Sequence, residues 1–227
     1  MTRRRMLDRV LGRQIPPIIH YCWLGGSAPS EQMVHCIDTW RAHHPAFEIR
    51  RWDETNIPDD PFIERAIRGG HWSRASNAVR FHALYEHGGI YLDTDVEVLR
   101  SFDPLRRMAC FLGFQYVPDG TADRPFEMCV APGVMGARPR HSLIRQMLEE
   151  IPRDVAGPAA FEILGPQMAT AVLIRAGLTG YSQSPVEVGG AIILPKEVFY
   201  PYFYKEQFDR STVGPATFSI HHWAKRW

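Results

Sequence analysis

The sequence predicts an α/β fold, a mostly parallel central sheet flanked by helices in a single domain, and three observations carry that prediction. The chain opens with an apolar run, an amphipathic stretch and an alternating run, the order in which a parallel sheet acquires its covering helices. Its 227 residues are 45% apolar against 22% charged, enough to bury a substantial core. No internal repeat and no linker divides them, so one domain over 15–227 follows a basic N-terminal segment at 1–14.

Each element has its own signal. Pro17-Ile18-Ile19-His20-Tyr21-Cys22-Trp23-Leu24 is bounded by Pro16 and Gly25-Gly26, too short for a helix and rich in β-formers, and reads as a buried first strand. After Pro29-Ser30, the residues Met33, Ile37 and Trp40 fall at i, i+4 and i+7, a helix that Pro45 stops. Phe47 to Trp52 then alternates as a strand. A short helix over Phe62–Arg68 ends at Gly69-Gly70, and a longer one over Ser73–His87 ends at Gly88-Gly89. Ile90 to Leu99 is expected to be extended, apolar at both ends and acidic in the middle. Val117–Pro125 is turn-rich, the composition of a surface loop that can border a site. Helices are expected over His141–Glu150 and Pro166–Ala176, and a late strand over Ala191–Leu194.

Composition excludes several functions. Lys plus Arg number 26 and Asp plus Glu 25, a formal charge of +1, so no strong field is available to hold a nucleic acid. The cysteines Cys22, Cys36, Cys110 and Cys129 form no Cys-x-x-Cys pair, which points to a reduced compartment and a cytoplasmic protein. No apolar stretch has the length of a membrane span or the core of a signal peptide. Within Met1–Arg13 five Arg face one Asp while Met6, Leu7, Val10 and Leu11 recur at helical spacing. A solvated helix is the favoured reading; peripheral contact with an anionic membrane, at its inner face, is the other.

The candidate chemistry lies in the middle of the chain. In an extended Ile90–Leu99, Asp93 and Asp95 project to the same side and Thr94 away from it. Two carboxylates so close repel unless a cation sits with them, and Mg²⁺ or Mn²⁺ takes one or two carboxylates and shares its other positions with water and phosphate oxygens. On the preceding helix Ser73, Ser76, Asn77 and Arg80 share a face, and Gly88-Gly89 returns the chain directly into the acidic strand. A guanidinium and an amide beside a metal suit a sugar diphosphate, whose hydroxyls need directed hydrogen bonds and whose phosphates need charge neutralised.

With Ile15-Pro16-Pro17-Ile18-Ile19-His20-Tyr21-Cys22-Trp23-Leu24-Gly25-Gly26, Ala75-Ser76-Asn77-Ala78-Val79-Arg80 and Leu84 through Glu97 in view, the chain resembles the DXD-containing glycosyltransferases. These include capsular-polysaccharide sugar transferases and yeast-type initiating mannosyltransferases; the catalytic domains of large glucosylating bacterial toxins are more distantly similar. The resemblance implies a GT-A type fold, a nucleotide-sugar donor (a UDP-sugar ahead of a GDP-sugar), Mn²⁺ or Mg²⁺, a glycan or lipid-linked acceptor in polysaccharide synthesis, and retention at the anomeric carbon with front-face departure of the diphosphate. By resemblance, Trp23 matches the aromatic under the donor base, and Tyr91, Asn77 and Arg80 match residues of the donor pocket. Asp93 and Asp95 match the catalytic acids at the metal, with Arg80 beside them. In the closing segment His221-His222-Trp223-Ala224-Lys225-Arg226-Trp227, the resemblance gives His222 the third metal-ligand position and Trp227 the position that touches the diphosphate, while Lys225 and Arg226, where the family has small residues, either grip the leaving diphosphate or displace a ligand.

Two departures stand out: Asn77 replaces the usual Asp, and Lys225-Arg226 replace small residues. Pro132-Gly133-Val134-Met135-Gly136 resembles a small-residue turn beside the donor sugar, and Gly165-Pro166-Gln167 a loop before a helix. Two other readings compete with a transferase: a catalytically silent carbohydrate-binding protein, and a haloacid-dehalogenase-like phosphotransferase with Asp93 as nucleophile. Donor hydrolysis without acceptor separates enzyme from binder.

Overall fold

The computed structural model describes residues 14–152 and 165–224. All but Gln14 of the basic N-terminal segment, and Lys225, Arg226 and Trp227 at the other end, therefore lie outside the described residues.

The opening alternation forms as expected. Strand β1 (Ile18–Cys22) pairs in parallel with β2 (Glu48–Trp52) across helix α1 (Glu31–His43). Ser30 caps α1 by accepting from the Met33 amide at 3.4 Å, and Met33, Cys36, Ile37 and Trp40 are its buried stripe. Helix α2 (Pro61–Arg68) is capped by Asp60, and α3 (Trp72–His87) stops at Gly88. Strand β3 (Gly89–Leu92) follows at once and lies parallel to β1. A Cβ at Gly89 would stand 2.7 Å from the Ile18 carbonyl oxygen, and its φ is +105°, so only glycine makes this return against β1.

The second half brings two strands into the middle of the sheet. Strand β5 (Cys110–Phe114) and β6 (Val130–Ala137) pair antiparallel, and β6 also pairs antiparallel with β3. Helices α4 (Ser142–Glu149) and α5 (Pro166–Arg175) precede the hairpin of β7 (Val186–Val188) and β8 (Ala191–Leu194), and α6 (Lys196–Phe199) is a single turn. The sheet order is β2-β1-β3-β6-β5-β8-β7. Following the pairings, β2, β1, β3, β5 and β8 point one way and only β6 and β7 oppose them, which makes the sheet mostly parallel in direction. One core, on the face of α2 to α5, takes Tyr91 and Leu112; the other takes Ile90, Leu92 and Phe111 with Ile37 and Trp40 of α1.

Two expectations are corrected. The extended run does not continue from Ile90 to Leu99: β3 ends at Leu92, Asp93-Thr94-Asp95 turns with the Val96 amide donating to the Asp93 carbonyl at 3.1 Å, and the short β4 (Val96–Val98) leaves the sheet. It pairs instead with β9 (Ser219–His221) in a two-stranded ribbon. The Pro132–Gly136 segment is strand, not turn. Its register with β5 shifts between Phe111 and Gly113, which admits Pro132, and Gly136 leaves room for the Phe111 ring, 2.4 Å from where a Cβ would be.

Beneath β1 a buried histidine sets an acid limit on stability. His20 is fully buried; its Nε2 lies 2.8 Å from the Gly88 carbonyl and donates to it, while Nδ1 accepts from the Trp52 indole at 3.1 Å. Both nitrogens are satisfied only when the ring is neutral, and burial pulls its pKa from 6.5 to about 4. The unfolded chain takes up this proton first, so stability is full above pH 6.5 and falls as pH drops towards 4. The loss from this group reaches about 3 kcal/mol. Denaturant unfolding across that interval is expected to show it, and His20→Leu, less stable at neutral pH, is expected to flatten the slope.

Candidate active site

The return from α3 into β3 aims one face of the helix at the end of the strand. Ser73, Ser76, Asn77 and Arg80 line a cavity of about 460 Å³ whose other walls are Tyr91, Asp93, Thr94 and Asp95, the aromatic side chains of Tyr204 and Trp223, and His221. Arg80 is the fixed point. It is 4% exposed, donates from Nη1 to the Pro132 carbonyl at 2.8 Å and from Nη2 to Asp93 Oδ1 at 3.0 Å, and lies 4.5 Å above the Tyr91 ring. Tyr91 is thus a floor under the guanidinium, its phenol kept protonated by burial.

The two carboxylates reach the same space through the turn rather than through strand alternation. Asp93 is anchored by its own amide, which donates to the Gly133 carbonyl at 2.8 Å. Asp95 Oδ2 accepts from the Ala224 amide at 2.7 Å. His221 Nε2 stands 3.5 Å from Asp93 Oδ2 and 3.5 Å from Asp95 Oδ1, a partner shared by both acids. Burial opposes charge on the imidazole, but Asp95 and Asp93 outweigh it and raise its pKa above the ordinary value. Burial likewise works to raise the pKa of Asp93, and Arg80, with help from His221, holds it below the usual carboxylate range. Asp93 is thus held in its ionised form, with the Arg80 guanidinium and the His221 ring beside it.

Two sequence assignments move. Trp23 is 3% exposed and its indole donates to the Ser27 carbonyl at 2.7 Å, so it offers no open face to a base; Cys22, its neighbour, is the residue of that strand end at the cavity. His222 does not face the carboxylates: its Nε2 is 2.9 Å from Glu97 Oε2. Successive residues leave an extended strand on opposite sides, so only one histidine of the pair can point inward, and it is His221. Asn77, in contrast, stands at the cavity as expected, one turn before Arg80 and beside Gly165 at the start of α5. Arg226 and Trp227 fall outside the described residues.

Some wall residues gave no signal that marked them out. Met33 reads as core of α1, and Tyr204 lies in a segment without periodicity. The turn-rich Val117–Pro125 loop does not itself line the cavity; it braces the Tyr204 segment through the Arg124–Glu206 and Lys205–Asp123 ion pairs and through Arg124 over Phe203.

Among the described residues no three carboxylate, imidazole or thiolate groups already enclose a point where an ion would sit. The chemistry of the donor set nevertheless fits a divalent cation: carboxylate oxygens of Asp93 and Asp95 and an imidazole nitrogen of His221, open on the cavity side to further oxygen ligands. Gly133 keeps that space clear. A Cβ there would stand 2.7 Å from Asp93 Oδ2 and 3.3 Å from the His221 ring. Gly133→Ala is therefore expected to leave the chain folded, at a cost of about 1–3 kcal/mol for the crowded carboxylate. It is expected to weaken nucleotide binding in the presence of Mn²⁺ by about tenfold or more, read by titration.

Residues 30–112, which hold Arg80, Asp93 and Asp95, match the family described as "Glycosyltransferase sugar-binding region containing DXD motif". Over these residues the chain is similar to the sugar-binding region of the DXD-motif glycosyltransferases. The chain is similar to inositol phosphoceramide mannosyltransferase 3 of Schizosaccharomyces pombe, 28% identical over 148 residues, which cover 61% of this chain and 38% of that protein. It is similar too to the mannosyl phosphorylinositol ceramide synthase CSH1 of Saccharomyces cerevisiae, 30% identical over 149 residues, covering 60% and 35%. The chain thus spans between a third and two fifths of the length of these curated relatives. In fold, the chain superposes on PaToxG glycosyltransferase with a TM-score of 0.58 over 76% of each chain, at 16% identity, in keeping with a GT-A type architecture. The family match ends at residue 112, so the place of His221 beside the DXD acids is read from the fold alone.

Proposed function

We propose that this chain is a metal-dependent, retaining glycosyltransferase that moves a sugar from a nucleotide-sugar donor to a hydroxyl of a glycan or lipid-linked acceptor. One observation carries the reading: Asp93 and Asp95, buried Arg80 and His221 converge on a cavity that also presents the Ser73, Ser76 and Asn77 side chains. Asp93, Asp95 and His221 would hold Mn²⁺ or Mg²⁺, and the cation, when bound, neutralises the charge of the departing diphosphate. Arg80 fixes Asp93 in its ionised form from below. Asn77 offers both a donor and acceptors to sugar hydroxyls, and Ser73 and Ser76 line the same wall. Tyr204 and Trp223 close the opposite wall, and the Trp223 indole N–H is committed to the Tyr202 carbonyl at 3.1 Å, so what remains to the cavity is an apolar ring that limits water.

Mannosyl groups and inositol phosphoceramide appear in the names of the yeast relatives, which favours a lipid-linked polyol acceptor here and brings mannose among the donors to test. No described helix is long and apolar enough to cross a membrane, so contact with a lipid acceptor is proposed at the surface, through the basic 1–14 segment at the cytoplasmic face. Hydrolysis of UDP- and GDP-sugars without acceptor, with Mn²⁺ and after chelation, tests the proposal. Release of one sugar only in the presence of metal supports it, with the product's anomeric configuration reporting retention; turnover of any donor in chelator opposes it.

A further inference from the structure

The ribbon of β4 and β9 is what brings the end of the chain to the acids in its middle. It contains three residue pairs, Val96 with His221, Glu97 with Ile220 and Val98 with Ser219, and a two-stranded ribbon so short is not stable by itself. Its β4 side is held by α1: the Trp40 indole donates to the Val96 carbonyl at 2.6 Å, and Thr39 Oγ1 accepts from the Val98 amide at 2.9 Å. Just past β9, His222 lies diagonally across from Glu97, and its Nε2 donates to Glu97 Oε2 at 2.9 Å with both side chains 17% exposed. The backbone continues the lock, since the His222 amide donates to the Asp95 carbonyl at 3.0 Å and the Ala224 amide to the Asp95 carboxylate. Between these two amides Trp223 adopts φ +54°, a left-handed conformation costly for a bulky aromatic, and its ring rests 4.2 Å from that of His221. A strained turn persists only where its surroundings over-determine it.

We infer that Glu97 and His222 are a positioning pair: they fasten β9 to the α1-supported β4 and so set how far His221 reaches between Asp93 and Asp95. The pair acts through His221 and touches neither donor nor cation. This inference rests on the proposed reading of Asp93, Asp95 and His221 as the cation-holding set. It separates cleanly from the alternative in which His222 is itself a ligand. A ligand role makes His222 indispensable and Glu97 incidental; a positioning role makes the two equivalent.

The experiment compares Glu97→Ala, His222→Ala, the double variant and His222→Gln, whose carboxamide keeps a donor for Glu97. Two readouts are taken: backbone amide hydrogen exchange over 219–222, and Mn²⁺ affinity in the presence of UDP. Each single alanine variant is expected to speed exchange over 219–222 and to weaken Mn²⁺ binding by about tenfold to a hundredfold, the range for groups that orient a ligand. The double variant is expected to be no worse than either single one, and His222→Gln to stay near the parent. Weakened Mn²⁺ binding in both His222 variants with Glu97→Ala unchanged would overturn the inference, as would unchanged exchange in Glu97→Ala. If the parent chain binds no Mn²⁺ with UDP, the functional reading fails, and the exchange data still decide whether the pair fastens β9.

Discussion

Asp95→Asn is expected to remove sugar transfer and donor hydrolysis together, by about a thousandfold or more, while the chain stays folded. The substitution is close to isosteric, and its amide oxygen can still accept from the Ala224 amide, so the contact that ties the end of the chain to the turn survives. What disappears is one of the two negative charges against which a cation and the His221 imidazole are balanced. Loss of several kcal/mol of charge stabilisation on the departing diphosphate corresponds to that rate. Steady-state hydrolysis of the donor, beside a thermal melt of the same sample, separates the two effects. A variant that melts like the parent and turns over like it would remove Asp95 from the chemistry.

Arg80→Ala is expected to have the largest effect on stability of any single change at the site. The guanidinium is 4% exposed and answers both the Asp93 carboxylate and the Pro132 carbonyl, and truncation leaves a part-exposed carboxylate with only His221 beside it and the Pro132 carbonyl without its donor. Breaking a fully buried pair costs about 3–5 kcal/mol; with Asp93 part-exposed the expected loss is about 2–3 kcal/mol, against a total stability of about 5–15 kcal/mol for a domain. For a chain of this size that is a fall of roughly 4–12 °C in midpoint. Arg80→Met with Asp93→Asn in the same chain is expected to recover part of the loss, since neither charge is then left alone, while remaining inactive. A double variant as unstable as Arg80→Ala would show that packing on Tyr91, rather than the ion pair, is what Arg80 contributes.

The elements that the sequence predicts best are those where one local signal meets one face of the core. Helix α1 is bounded by Ser30 and Pro45 and shows Met33, Ile37 and Trp40 at helical spacing; Ala191–Leu194 is a short apolar run and is strand. Strands β5 and β6 escape this reading because they are buried on both faces and so show no alternation, and because Pro132, Gly133 and Gly136 give β6 the composition of a turn. Those same residues have a tertiary purpose: room for Phe111, space beside Asp93, and a carbonyl for Arg80.

At the site, Arg80, Asp93, Asp95, Tyr91 and Asn77 are legible because they lie within one α3-to-β3 return, where the spacing along the chain is also the spacing in space. His221 and the wall of Tyr204 and Trp223 are not, because the pairing of β9 with β4 decides which side chains of the far segment turn inward. A shift of one residue along a strand exchanges its two faces, and that is the difference between His222 and His221. Trp23 shows the converse: a strand-end aromatic that looks like a platform is packed away by the fold.

The central claim is that the DXD acids and His221 hold a cation on which nucleotide binding depends. Calorimetric titration of UDP and GDP into the parent chain and into Asp95→Asn, each with Mn²⁺ and after chelation, tests it most directly. Binding of one nucleotide by the parent that requires Mn²⁺ and is lost in Asp95→Asn is the expected result. Nucleotide binding that is equally tight in chelator and in the variant would contradict it.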